Sequence, residues 1–356
     1  MFRAKTVLVL GAGASFEIDL PLGTELLNRI TKLLNFRFET SSRLKSGDLS
    51  LFEALKQVVD EGREVEKTNA HLKAGHHLIA AASQAKSIDA VIDALEDEKV
   101  ETMGKLAIVR AILEAERTSE FFAGDRGRHG AIDLTKFSDT WHARLASLLF
   151  ESRKATEVTS IFDNLEVINF NYDRTLETFL LHSISSFYGL KLNEVEPIVA
   201  SLPMHRPYGT VGQLPWMGGA GQAISFGQGS PEQISEAYRQ VRTFTERVEE
   251  GEELLAIKRS IASADRIVFL GFGFHRQNVE LISAEAQPHC EVLGTAKGLS
   301  RDDKEMILEE LRIQFELKAE HDTEQIKLPD LGCAEFFDHF GRRLSSDPSA
   351  FFLADR

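Results

Sequence analysis

A chain of 356 residues, 43% hydrophobic and 27% charged, has the make-up of an ordinary globular protein and length enough for one large domain or a core with a sizeable insertion. Its net charge of -14 argues against direct binding to nucleic acid or an anionic membrane surface, since both call for clustered Lys and Arg. With only Cys290 and Cys333, neither a disulfide framework nor a four-cysteine zinc site can be built, which points to a reducing cytoplasm.

Val7-Leu8-Val9-Leu10 is a continuous apolar run that predicts a buried parallel strand. It is too short to span a bilayer and carries no signal-peptide cleavage pattern, so the chain is expected to be soluble and intracellular. The run stops at Gly11-Ala12-Gly13-Ala14-Ser15, and a helix carrying Leu22, Leu26, Leu27 and Ile30 is expected to complete a first unit over residues 1–35. Residues 36–160 read differently, with apolar residues at helical spacing and few strand-like runs. Ser87 caps a predicted helix bearing Ile88, Val91, Ile92 and Leu95. A second apolar face comprises Leu106, Val109, Ile112 and Leu113, and a third Trp141, Leu145, Leu148 and Leu149. This stretch is read as a helical insertion.

Strand signals resume over Leu165–Phe170, ahead of Asn171-Tyr172-Asp173 and a helix with Leu176, Phe179 and Leu180. From Gly209 to Gly229 glycines crowd, including Gly218-Gly219-Ala220-Gly221, which predicts an irregular, mobile loop. Ile267-Val268-Phe269-Leu270 is the clearest later strand, stopped by Gly271-Phe272-Gly273, and Val292-Leu293 is a shorter one. Residues 161–300 are thus assigned to the remaining nucleotide-binding core, and 301–356 to a helical, amphipathic C-terminal segment. No repeat or linker divides the chain, which is read as a single domain over 1–356. The alternation predicts an α/β fold: an open parallel, Rossmann-like sheet with helices on both faces and a largely helical insertion. Ligands of such sheets bind at the carboxyl ends of the strands.

At Gly11-Ala12-Gly13-Ala14-Ser15 the first glycine permits a tight turn, and the second lets backbone N–H groups approach a phosphate at the positive end of a following helix. Phe16 stands where a dehydrogenase fingerprint would place its third glycine, so dinucleotide binding without hydride transfer is the expectation. Asn171 and Asp173, at a strand end, suit ribose or water contacts, and equally suit capping of the next helix. His205 is of a residue type that titrates near neutral pH and can accept a proton from a hydroxyl or water; it can also be a loop histidine without a role. His76-His77 has no metal-ligand pattern, and the acidic runs Glu96-Asp97-Glu98 and Glu249-Glu250-Gly251-Glu252-Glu253 are read as exposed helix ends or loops.

Gly11-Ala12-Gly13-Ala14-Ser15 with Asp19-Leu20-Pro21, followed by Asn171-Tyr172-Asp173 after a strand, resembles the SIR2-like superfamily. His205-Arg206-Pro207-Tyr208-Gly209 resembles the family's His and Gly segment. Phe269-Leu270-Gly271-Phe272-Gly273-Phe274-His275 with Asn278 resembles its late glycine strand. The similarity is closest to the bacterial SIR2-like effectors of anti-phage defence, which consume NAD. Two departures accompany it: the four thiolates of the sirtuin zinc module are missing, and Arg206, Pro207 and Tyr208 separate His205 from Gly209.

The resemblance implies Asn171, His205 and Asp173 as catalytic residues. It implies NAD contacts from Gly11, Ala12, Gly13, Ala14, Ser15, Asp19, Pro21, Tyr208, Gly271, Phe272, Gly273, His275 and Asn278, with His275 toward the adenosine end or at a helix start. The expected activity is NAD+ glycohydrolysis to nicotinamide and ADP-ribose in abortive infection, with NAD+ as substrate and no zinc or other metal. No nucleic-acid or membrane partner is expected. Because an unrestrained enzyme of this kind would poison its own cell, control by homo-oligomerisation or a separately encoded defence partner is expected, through the helical insertion or the acidic surface. The alternatives are a sirtuin-type deacylase or ADP-ribosyltransferase, and a module that senses NAD or ADP-ribose without turnover.

Overall fold

The computed structural model describes residues 1–39, 43–59, 65–122, 124, 132–219, 221–243, 251–317 and 325–348. Of the segments read above, Ala220, Glu249 and Glu250, together with parts of 36–160 and of 301–356, lie outside the described residues.

The chain begins with strand β1 (Thr6–Leu10), a single helical turn α1 (Ala12–Ser15) and helix α2 (Gly23–Leu33). A hairpin of β2 (Arg37–Glu39) and β3 (Arg43–Ser46) leads into α3 (Leu49–Val59), α4 (Val65–Ala82), α5 (Ile88–Leu95) and α6 (Glu98–Thr118). Then come α7 (Trp141–Phe150), β4 (Leu165–Asn169), α8 (Thr175–Tyr188), α9 (Leu192–Ala200) and β5 (Met204–His205). The remainder comprises α10 (Pro231–Ala237), α11 (Glu252–Ala262), β6 (Arg266–Leu270), α12 (Arg276–Leu281), β7 (Glu291–Gly294), α13 (Arg301–Gln314), β8 (Ile326–Lys327) and α14 (Cys333–Leu344).

Six parallel strands form one sheet in the order β5-β4-β1-β6-β7-β8. The chain starts in the middle, steps outward through β4 to β5, then crosses back and steps the other way through β6, β7 and β8. This is the doubly wound, Rossmann-like order, and its reversal falls between β1 and β6, the place where sheets of this order generally bind ligands.

Alternate side chains of a strand face opposite ways, and the packing follows that period. Leu8, Leu10, Leu165 and Val167 face a core shared with Trp141 and Leu145 of α7, Leu176 of α8, Val195 of α9 and Phe336 of α14. Val7, Val9, Ile168, Ile267 and Phe269 face the opposite core with Ile257 and Ile261 of α11, Val279 of α12 and Leu311 of α13. Helices therefore cover both faces. Burying one such Leu, Ile or Phe contributes about 1.5–3 kcal/mol.

A third cluster lies outside the sheet and unites α2, α3, α5, α6 and α10. The cap at Ser87 is present, its hydroxyl accepting from the Ala90 amide at 3.2 Å. Four differences from the sequence reading have physical causes. Helix α2 does not follow the glycine turn directly: α1 is one turn long, Asp19 takes a left-handed backbone at φ 62°, and α2 starts only at Gly23. Leu22 stands outside α2 and is exposed, while Leu26, Leu27 and Ile30 pack into the third cluster. Helix α7 belongs to the sheet core rather than to the insertion cluster. The C-terminal segment is not helical throughout, since β8 pairs with β7 between two helices.

The glycine-rich segment is irregular, as expected, and it is fastened at several points. Arg174, fully buried, donates to the carbonyls of Gly212 (3.3 Å) and Ile224 (2.5 Å), while its Nε bonds Glu116 of α6 at 3.0 Å. Glu116 also accepts the Gly227 amide at 2.9 Å. The carboxylate neutralises the guanidinium, and backbone carbonyls take up its remaining donors, which lets both charges sit out of water. Among the described residues no helix is long and apolar enough to cross a membrane.

Candidate functional site

The turn after β1 lies at the sheet's reversal. There Gly11 and Gly13 are required for contact between backbones: a Cβ on Gly11 would stand 2.6 Å from the Gly271 carbonyl oxygen, and one on Gly13 would stand 2.8 Å from the Gly271 Cα. Gly271 itself has φ 55°, and a Cβ there would stand 2.0 Å from the Ala14 nitrogen. The Gly11 and Gly13 amides donate to Leu270 and Gly271 carbonyls at 3.0 and 2.9 Å. Those two donors are thus satisfied by the turn after β6, so the glycines serve the junction of the two turns. Ala12 is exposed beside the half-buried Gly13. The Ala14 carbonyl accepts the Trp141 indole N–H at 2.5 Å, anchoring the turn to α7.

The end of β4 contributes side chains to the same place. The buried Asn171 amide nitrogen donates to the Gly11 carbonyl (2.9 Å) and to Ser15 Oγ (3.2 Å). Ser15 Oγ donates to Asp173 Oδ2 at 2.8 Å, and the other Asp173 oxygen accepts the amide (3.1 Å) and hydroxyl (2.5 Å) of Thr175 at the start of α8. The two roles weighed for these residues therefore separate: Asp173, one residue before the N-cap Arg174, holds the first amide of α8 and orients Ser15, whereas Asn171 reaches across to the glycine turn. With both amide hydrogens of Asn171 committed, its Oδ1 has no protein partner among the described residues.

Arg206 fixes this strand end from behind. Its guanidinium donates to the carbonyls of Asn171 (2.7 Å) and Asp173 (3.0 Å) and pairs with Glu177 at 2.5 Å. In the sequence Arg206 merely separates His205 from Gly209, and nothing local ties it to residues 33 and 35 positions earlier.

His205 is placed elsewhere. It pairs with Ile168 in the sheet, about 10 Å short of Asn171 along the strand direction at roughly 3.3 Å per residue. Its ring lies 3.4 Å from Ser260 Oγ on α11. Nearby, Glu166 is desolvated, yet hydrogen bonds from Lys5 and Ser260 and the charges of Lys5 and His205 hold its carboxyl below the usual range. No contact among the described residues joins His205 to Asn171, Asp173 or the glycine turn.

The remaining candidates divide. Tyr208, half-buried, donates to Asn278 of α12 and packs edge-on against Phe170 at 5.6 Å, so these two residues from distant segments meet. Phe272 is buried among Phe170, Phe269 and Phe274 and acts as core. Gly273 and His275 are exposed, His275 at the N-cap of α12 without a side-chain cap bond. Asp19 is exposed at the left-handed turn, and Pro21 is buried.

One group at this edge was not anticipated. Asp89 of α5 accepts the Tyr172 hydroxyl at 3.1 Å, so the insertion delivers a carboxyl beside the Asn171-Tyr172-Asp173 end. Burial pushes that carboxyl above its ordinary range, against the lowering effect of the Tyr172 hydrogen bond. Among the described residues no group of three or more His, Cys, Asp or Glu is arranged to hold a metal ion. Cys290 and Cys333 are free and buried; desolvation raises both thiols, Cys333 to about 12, which keeps them protonated and poor nucleophiles. No family model matches the chain, and no curated protein matches it in sequence.

Proposed function

We propose that the chain is an NAD+ glycohydrolase that cleaves NAD+ to nicotinamide and ADP-ribose. The observation that carries this reading is the junction of Gly11–Ser15 with Asn171 at the reversal of a doubly wound parallel sheet, where such folds take dinucleotides. Cleavage breaks the bond between ribose C1′ and the pyridinium nitrogen. Nicotinamide leaves with the electron pair as a neutral molecule, water adds to the oxocarbenium carbon, and one proton is released. The leaving group is already cationic, so no general acid is needed, and orientation with polar stabilisation suffices.

Asn171 Oδ1 is the acceptor for a ribose hydroxyl or the attacking water. Asp173 acts through Ser15, and Arg206 through the backbone of Asn171 and Asp173, so both are positioning residues. His205, facing α11, is given no part in bond cleavage. The reading extends to a cytoplasmic effector of anti-phage defence, restrained by a partner protein or by self-association. Incubation of the purified chain with NAD+, alone and with an acyl-lysine peptide, tests it: equal amounts of nicotinamide and free ADP-ribose, with the peptide untouched, are expected. Acyl transfer to ADP-ribose, or ADP-ribose attached to protein, would replace hydrolysis by a transferase reaction.

A second reading, a nucleotide-sensing module without turnover, uses the same Asn171 acceptor for binding alone and differs in releasing no nicotinamide. ADP-ribose binding without nicotinamide release from NAD+, even with neighbouring defence proteins added, would support it.

A further inference from the structure

Three phenylalanines among the described residues are exposed, and two of them have a ring partner: Phe38 meets Phe52 edge-on at 5.3 Å, and Phe187 stacks on Phe150 at 4.3 Å. Phe16, 57% exposed, makes no ring or cation contact among the described residues. It is the residue that stands where a dehydrogenase fingerprint would place its third glycine, directly after Ser15. The side chains on either side of it are committed. Ser15 bonds Asp173 and Asn171, and Glu17 accepts the amides of Trp141 and Ala334, each at 2.8 Å. Successive residues of a helical turn point about 100° apart, so Phe16 faces neither the β4 end nor α7 and α14. It lies one turn on from Ala12 and shares that residue's exposed face.

Ala12 and Phe16 are thus the solvent side of a turn whose Gly11 and Gly13 are closed off by Gly271. The same turn places Ser15 Oγ 3.2 Å from the amide nitrogen of Asn171, whose Oδ1 has no protein partner although the residue is only 8% exposed. A free aromatic face and a free acceptor, joined through Ser15, match a ligand in which a flat ring is attached to a hydroxyl-bearing sugar. Every nucleotide base presents a π face, so stacking on an aromatic side chain adds hold without choosing the base. We propose that Phe16 is the platform on which the heterocycle of a bound nucleotide stacks. The assignment rests on the glycine turn and the β4 end being a nucleotide site, as under the proposed function, but not on cleavage. Adenine and nicotinamide offer the same stacking chemistry.

Isothermal titration of the full chain with ADP-ribose, with nicotinamide mononucleotide, and with ribose 5-phosphate as the ring-free control tests it. Phe16→Ala and Phe16→Leu are each expected to weaken one of the two nucleotides at least about tenfold, or about 1.4 kcal/mol, and to leave ribose 5-phosphate unchanged. Loss with ADP-ribose assigns the adenine to Phe16, and loss with nicotinamide mononucleotide assigns the nicotinamide. Phe16→Trp is expected to keep the affinity within a few-fold, and the emission of its added indole to be quenched as that nucleotide binds, a signal that a residue merely supporting the turn would not give. The proposal is overturned if neither nucleotide binds the wild type, if Phe16→Leu binds both as the wild type does, if ribose 5-phosphate weakens equally, or if the added indole is not quenched. Nicotinamide release from NAD+ is read separately: binding that depends on Phe16 without release would remove the glycohydrolase reading and leave the platform standing.

Discussion

The ends of β1 and β4 stand side by side at the carboxyl edge of the sheet, and they are built on opposite principles. After β1 the backbone does the work: Gly11 and Gly13 have no side chains because the Gly271 turn occupies that space, and their amides are spent on it. After β4 side chains do the work: Asn171 spans to the glycine turn, Asp173 orients Ser15, and Arg206 clamps the carbonyls behind them. A glycine turn at a strand end is thus not by itself a phosphate cradle. Here it is the surface against which a polar side chain is positioned, and under the proposed function the contacts that select a ligand come from the β4 end.

That contrast can be broken most severely at the backbone. Gly271→Ala places a methyl 2.0 Å from the Ala14 nitrogen and forces a left-handed φ on an L side chain, so a loss of at least about 5 kcal/mol is expected in denaturant unfolding. A near-wild-type midpoint would mean the two turns are not in this contact. Next in size, Glu116→Ala leaves the Arg174 charge buried without its partner and is expected to cost about 3–5 kcal/mol. Limited proteolysis should then cut first within 209–229, and an unchanged cleavage pattern would show that Arg174 does not hold that segment.

A pH effect of intermediate size comes from His142, which packs against Trp141 at 4.1 Å with neither ring nitrogen hydrogen-bonded. Burial pushes it down to about 3. Folded His142 stays neutral while the unfolded side chain takes a proton below about 6.5, so its contribution to stability is whole above that pH and shrinks as pH falls toward 3. Between pH 7 and pH 5 this amounts to about 2 kcal/mol at about 1.36 kcal/mol per unit. His142→Phe is expected to flatten that part of the stability profile, and equal pH slopes in the two proteins would contradict the assignment. The smallest stability effect is expected at Asn171→Ala, about 1–2 kcal/mol for two lost hydrogen bonds.

The sheet was legible because buried parallel strands are continuous apolar runs, and β1, β4, β6 and β7 all fall where Val7–Leu10, Leu165–Phe170, Ile267–Leu270 and Val292–Leu293 announce them. The edge strands β5 and β8 are two residues each, too short to carry a period, and neither was foreseen. Amphipathic helices such as α5 were legible down to the Ser87 cap. At the candidate site, Asn171, Asp173 and the glycines could be picked out because each sits immediately after an apolar run. Arg206, Glu116 and Asp89 could not, because each acts on a residue 33 to 83 positions away, and long-range pairing of a lone charge leaves no local pattern. His205 illustrates the converse: it lies within a suggestive motif, yet the register with Ile168 turns its ring to α11.

Nicotinamide release from NAD+, measured under conditions where the wild type is active, decides whether the β4 end acts on NAD+ while the glycine turn supports it. The comparison is with Asn171→Ala and His205→Ala at matched folded fractions. A loss of at least about a hundredfold is expected for Asn171→Ala, the order of magnitude for removing a polar group that stabilises the transition state, and a change within a few-fold for His205→Ala. Full activity in Asn171→Ala, or its abolition in His205→Ala alone, would contradict it.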